Sequence, residues 1–243
     1  MIRNLRTIFN LLMVATLAMF VLAACSSTEK DTSKENKQSK TEETKVKEEA
    51  KIEVTQEKPI FVDEKNKVVK VYATVNGKYL VTPTRHGLNW VEGKYGDQAV
   101  LKGYGNPLDF HDALIKIGGV PAVEKGGDTT KEFEETPEGK FIKGDQVAVK
   151  ITWEGAKKEY DINEVMLDST GKKLEYHFGG NYDTQDLKMT GCYMCFDSCP
   201  AGITSNASHP VGTFESGAAE FHGNPEVLPA DGTPVVLTYS IVQ

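Results

Sequence analysis

The sequence predicts an α+β fold, a mainly antiparallel β-sheet with one short amphipathic helix, following a disordered tether. Three observations predict it. Short runs of alternating apolar and polar residues recur from about residue 60 onward, each bounded by turn residues. One stretch alone combines a cap, a first-position proline and helical spacing. The segment before them is too polar to bury a core. The 243 residues divide accordingly into a leader at 1–24, a tether at 25–58 and a β-rich domain at 59–243.

The leader has Arg3 and Arg6 ahead of the apolar stretch "TIFNLLMVATLAMFVLAA", which stops at Cys25. Its length alone would suit a membrane-spanning helix. The ending Leu22-Ala23-Ala24-Cys25 instead resembles the lipobox of bacterial lipoproteins, in which a signal peptide is cut before the cysteine and the thiol is acylated. The resemblance implies lipidation of Cys25 by diacylglycerol, with a palmitate-type chain on the new N-terminus. Two anchoring signals of this kind give stable attachment. The expected location is the extracytoplasmic face of a bacterial membrane, reached through that lipid anchor.

From Ser26 to about Lys58 the chain contains no aromatic residue, glycine, proline or cysteine, and its lysines and acids nearly balance. Such a segment cannot offset its conformational entropy by burial, so it reads as a solvated tether. The formal charge of −7 for the whole chain argues against nucleic acid as a partner.

The domain's strands follow in order. "NKVVKVYATVNGKYLVTP" alternates Val69, Val71, Ala73 and Val75 against Lys70, Tyr72 and Thr74, and Asn76-Gly77 predicts a hairpin turn. "DQAVLKG" is a further strand, and "GDQVAVKITWEGAKKEYDINEVML" a second hairpin turning near Gly155. "KKLEYHFGG" and "TPVVLTYSIVQ" complete the set. The helix is expected near Leu108 to Ile117. Asn106 caps it, Pro107 takes the first position, Asp109 favours the first turn, and Gly118-Gly119 with Pro121 end it.

"RHGLNWVEG", "NPLDFHDALIKIGGVPA", "GDQVAVKITWEGAKKEYDINEVM" and "YHFGGN" resemble, in that order, the YdjY-type domain of bacterial exported proteins. The resemblance covers about residues 60 to 180 and implies a domain boundary. Some members look ferredoxin-like in their cysteine spacing, which implies a redox or cluster role.

The chemistry concentrates in "GCYMCFDSCPAG", where Cys192, Cys195 and Cys199 hold three of the four cysteines. The spacing C-x₂-C-x₃-C-P matches the last three cysteines and the proline of the bacterial ferredoxin run, C-x₂-C-x₂-C-x₃-C-P. Met189 stands where the first cysteine of that run would fall. A fourth ligand must then come from elsewhere in the region 189–210 or beyond. His209 and His222 are the nearest histidines downstream, while His86 and His111 lie on earlier elements. Cys₃His also suits zinc, so an iron–sulfur cluster and zinc compete for one residue set. One disulfide with a spare thiol is the metal-free alternative, favoured by an oxidising compartment.

No G-x-S-x-G, H-E-x-x-H or Walker loop is present, which argues against a hydrolase or nucleotide-binding enzyme. The expected function is a membrane-anchored extracytoplasmic binding protein with a cysteine-rich metal or iron–sulfur site, exchanging electrons with a redox partner at the cell surface. The alternative is a metal-free surface module for ligand binding or adhesion, with one disulfide in the cysteine loop.

Overall fold

A computed structural model describes residues 54–242. Cys25, the leader and all but the last few tether residues lie outside the described residues. The folded part has begun by Val54, which is buried, and Thr55 N–H donates to the Lys58 carbonyl.

The strands, in chain order, are Ile60–Asp63 (β1), Val68–Val75 (β2), His86–Trp90 (β3), Ala99–Gly103 (β4), Phe133–Thr136 (β5), Gly139–Ile142 (β6) and Gln146–Thr152 (β7). They continue with Tyr160–Asp161 (β8), Met166–Asp168 (β9), Tyr176–Phe178 (β10), Cys192–Cys195 (β11), Thr204–Asn206 (β12), Phe221–Gly223 (β13) and Pro234–Ile241 (β14). The helices are Pro107–Lys116 (α1), Ile162–Val165 (α2) and Tyr182–Lys188 (α3).

The expected α+β sheet with one helix is replaced by a closed barrel. Strands run in the order β2-β14-β7-β10-β12-β11-β3-β4, and β4 pairs back onto β2 to close the ring at eight. Closure removes the free edges that an open sheet must protect. β1 pairs with β2 through Val68 to Val71, and β4 takes the same edge from Ala73 to Val75. Two pairings are parallel, β3 with β4 and β11 with β12.

The alternation read from the sequence is present. Val69, Val71, Ala73 and Val75 are buried, as are Val147, Val149 and Ile151 on β7 and Val235, Leu237 and Tyr239 on β14. The partners differ from expectation. β2 makes no hairpin at Asn76-Gly77; it pairs with the C-terminal β14, Val71 facing Leu237. The turn residues are recruited by distant chain instead. Asn76 Nδ2 donates to the Asp97 carbonyl, and Gly77 N–H to Asp231 Oδ1 at 2.7 Å. The second hairpin forms as read, with Ile151 opposite Tyr160.

Helix α1 has the expected cap, Asn106 Oδ1 accepting from Leu108 N–H at 2.8 Å. It drives Phe110 between Tyr193 and Tyr239, with ring centroids 4.8 and 4.7 Å away. The expectation of one helix omits α2, which lies within the stretch expected as the second hairpin, and also α3. Helix α3 begins at Asn181 and ends at Met189, both in the left-handed region, and delivers the chain to β11. Among the described residues no helix is long and apolar enough to cross a membrane.

Candidate metal centre

β3 and β11 run antiparallel and place His86 opposite Cys195, and Asn89 opposite Cys192. In a regular strand residues three apart point to opposite faces. The ladder is irregular on both sides of Met194, and such a bulge re-aims side chains. That irregularity lets both sulfurs reach the same imidazole. The ligand atoms of His86, Cys192 and Cys195 all lie within 4.8 Å of one another, and all three residues are buried. Cys192 Sγ is 3.6 Å from His86 Nδ1. Cys192 and Cys195 are joined as a disulfide with Cα atoms 6.7 Å apart. Cys199 is a buried free thiol packed in the same cysteine cluster, outside that three-ligand group.

His86 is kept neutral. Burial, and secondarily the adjacent Arg85 charge, push its pKa down to about 4, and a neutral imidazole is the form that binds a metal. Its ring stacks on Tyr95 with centroids 5.7 Å apart. Burial pushes the Cys199 thiol up, against the Arg85 charge and backbone N–H groups of Ala201 and Gly202 that favour the thiolate. Arg85 also reaches Asp197, 3.3 Å away, and Glu215. Asp197 is fully buried and also accepts from Phe214 N–H at 3.2 Å.

The cysteine segment is braced from α3. Gln185 Nε2 donates among Thr190 Oγ1 at 2.6 Å, the Cys192 carbonyl at 3.3 Å and the Ala201 carbonyl, while its Oε1 accepts from Gly191 N–H at 3.1 Å. Asn206 Nδ2 holds the Phe196 carbonyl at 2.8 Å, and Ile203 N–H donates to the Cys192 carbonyl. Gly93 meets Gly191 so closely that a Cβ on Gly93 would stand 2.4 Å from the Gly191 Cα. Both positions therefore need glycine for the backbones to approach.

The structure brings His86, Cys192 and Cys195 together and places the other candidates elsewhere. Met189 is exposed at the end of α3. His209 Nε2 lies 2.6 Å from Asp168 Oδ2, with its ring edge-on to Phe221. His222, on β13, points Nδ1 at the Gly223 carbonyl. His111 sits on α1 with Nδ1 3.1 Å from Asp112 Oδ1, between Phe178 and Tyr182, and burial lowers its pKa. Gln185, Asn181 and Arg85 were not singled out by the sequence reading. Arg85 and Asn181 lie in "RHGLNWVEG" and "YHFGGN", segments that carry the family resemblance without assigning either residue a role, and Gln185 had only its proximity to the cysteines as a signal.

A neutral imidazole with two sulfurs is a borderline-to-soft donor set, suited to zinc, copper or iron and poorly suited to magnesium or calcium. The same two sulfurs, bonded to each other, form instead a short-loop disulfide.

The sequence profile of the YdjY domain matches residues 60–240, so it spans the barrel and the cysteine segment together. The Escherichia coli (strain K12) protein described as "Uncharacterized protein YdjY" is 38% identical over 198 residues, covering 80% of this chain and 85% of that one. No solved structure matches. With the match running from β1 to within β14, through every strand of the barrel and both sides of the His–Cys cluster, the chain belongs to the YdjY domain family.

Proposed function

We propose that this protein is a membrane-anchored extracytoplasmic binding protein whose barrel holds one thiophilic metal ion at His86, Cys192 and Cys195, for metal or electron exchange at the cell surface. The observation that carries the reading is the convergence of these three buried ligand atoms within 4.8 Å. Zinc–sulfur bonds of about 2.3 Å and a zinc–nitrogen bond of about 2.0–2.1 Å imply tetrahedral edges of about 3.6 Å for S···N and about 3.8 Å for S···S. In the disulfide-bonded protein the Cys192 Sγ to His86 Nδ1 separation is 3.6 Å, a hydrogen-bond contact that already brings one sulfur to the imidazole, and reduction is needed to free both sulfurs for a metal. A ferredoxin-type cluster gains less support, because the position that would complete its cysteine run is the exposed Met189. The anchor rests on the leader pattern ending at Cys25.

The Cys192–Cys195 disulfide favours a second reading, a metal-free surface module with one staple. The two are distinct chemical states, because a covalent S–S bond of about 2.05 Å cannot span a tetrahedral edge. The test is cobalt(II) titration of the reduced domain under anaerobic conditions. The metal reading expects one ion per chain with thiolate-to-cobalt absorption, lost in each of His86→Ala, Cys192→Ser and Cys195→Ser. Absence of stoichiometric uptake by the fully reduced protein refutes the metal reading and leaves the stapled module.

A further inference from the structure

Cys199 is the sulfur that neither reading of the site uses, since it lies outside both the three-ligand group and the disulfide. It is nonetheless packed with the bonded pair. Cys192, Cys195 and Cys199 form one buried cluster, 1%, 0% and 7% exposed, with Ala201 as its partly buried neighbour. The backbone brings Cys199 to Cys195 in particular. Cys195 pairs with Ser205 across β11 and β12, and Ser205 Oγ donates to the Cys199 carbonyl at 3.4 Å. Asn181 Nδ2 holds the Cys199 carbonyl at 3.2 Å and the Gly202 carbonyl at 2.8 Å, closing the turn at Pro200 and Ala201 from below. A Cβ on Gly202 would stand 3.0 Å from Cys195 Sγ, so this turn lies directly against that sulfur. Asn181 and Ser205 are buried, whereas Pro200 at the outer corner is exposed.

We propose that Cys199 is an exchange thiol for the Cys192–Cys195 disulfide. Its sulfur attacks Cys195 Sγ, and the Cys195–Cys199 bond forms as the Cys192–Cys195 bond breaks. Cys192 leaves as the new free thiol and takes up the proton that Cys199 gives up. One disulfide and one thiol are present before and after, so the step needs no oxidant or reductant. The two isomers differ in where the free thiol sits. It is either at residue 199, beside the exposed Pro200 corner, or at residue 192, whose sulfur lies 3.6 Å from His86 Nδ1. Exchange thus relays a thiol between the rim of the cysteine segment and the buried imidazole. The inference rests on the disulfide-bonded protein and needs no metal, so failure of cobalt uptake does not bear on it.

The test is disulfide equilibration of the metal-free full-length protein with reduced and oxidised glutathione, each bond located by tandem mass spectrometry after an acid quench. Cys192→Ser keeps Cys195 and Cys199, and Cys199→Ser keeps the Cys192–Cys195 pair as the reference. Cys192→Ser is expected to form an internal Cys195–Cys199 bond with an equilibrium constant within about tenfold of the reference, a difference of about 30 mV or less. Cys195→Ser, which keeps Cys192 and Cys199, is expected to give glutathione mixed disulfides instead. Mixed disulfides alone in Cys192→Ser, or a stronger internal bond in Cys195→Ser than in Cys192→Ser, overturn the proposal. Should Cys192→Ser fail to fold, the wild type decides alone. Equilibrated without added thiol, quenched in acid and digested with pepsin, it should hold the Cys195–Cys199 isomer at about a tenth of the total or more. Cys192–Cys195 as the sole isomer overturns the proposal and leaves Cys199 a packing residue.

Discussion

Replacing Gln185 with methionine should loosen the cysteine segment with little change in side-chain volume. Gln185 Nε2 has two hydrogens and three acceptors in range, and Oε1 takes one N–H, so about three bonds are made at any moment. At about 1 kcal/mol each they contribute about 3 kcal/mol. The substitution also leaves Gly191 N–H and the Ala201 carbonyl without this partner beside the buried sulfurs, so a cost of about 3–5 kcal/mol is expected. Urea unfolding of the reduced, metal-free protein measures it as a lower midpoint at unchanged slope. Because Gln185 touches Cys192 through its carbonyl, cobalt affinity should fall as well. A loss below about 1 kcal/mol would mean that the brace is redundant and refute this account of how α3 sets the sulfurs.

Burial holds the His86 pKa at about 4, against 6.5 for the free group, so the unfolded chain binds a proton there over that interval and the folded chain does not. Stability from this group is therefore complete above about pH 6.5 and lost as pH falls through about 4, by on the order of 3 kcal/mol. Glu132, with its pKa raised to about 7, contributes the opposite slope between about 4.5 and 7. The wild-type minus His86→Phe difference, from urea unfolding across pH, isolates the histidine; a pH-independent difference contradicts it. Arg85→Met strands the fully buried Asp197 and should cost about 3 kcal/mol at neutral pH, shrinking in acid as Asp197 takes up a proton. Equal loss at pH 4 and pH 7 would contradict that assignment. Cys25→Ser should abolish partitioning into detergent while leaving the barrel's circular dichroism unchanged; unaltered partitioning and mass defeat the lipid anchor.

What could be read from the sequence was local. Strand alternation along Val69 to Val75 and the Asn106–Pro107 helix start depend on neighbours a few residues apart, and both are present. Barrel closure depends on pairings such as Ala73 with Gly103 and Val71 with Leu237, which no short-range pattern encodes. An open sheet and a closed one share the same alternation. The Asn76-Gly77 signal failed for a related reason, since Asp231 and Asp97 supply tertiary partners that replace the hairpin. At the site, clustered cysteines drew attention to Cys192 and Cys195, but their partner His86 lies over a hundred positions upstream and reaches them only through β3–β11 pairing. Downstream histidines looked nearer in sequence. His209 is instead engaged with Asp168, and His222 with the Gly223 carbonyl.

The most direct test of the central claim is X-ray absorption at the metal edge of reduced protein loaded with one equivalent of zinc, read with its metal stoichiometry. The account predicts one ion per chain. Its first shell should hold sulfur at about 2.3 Å and imidazole nitrogen at about 2.0–2.1 Å, with the nitrogen contribution lost in His86→Ala. Zinc retained with an unchanged shell in His86→Ala, or no zinc retained by the reduced wild type, would contradict it.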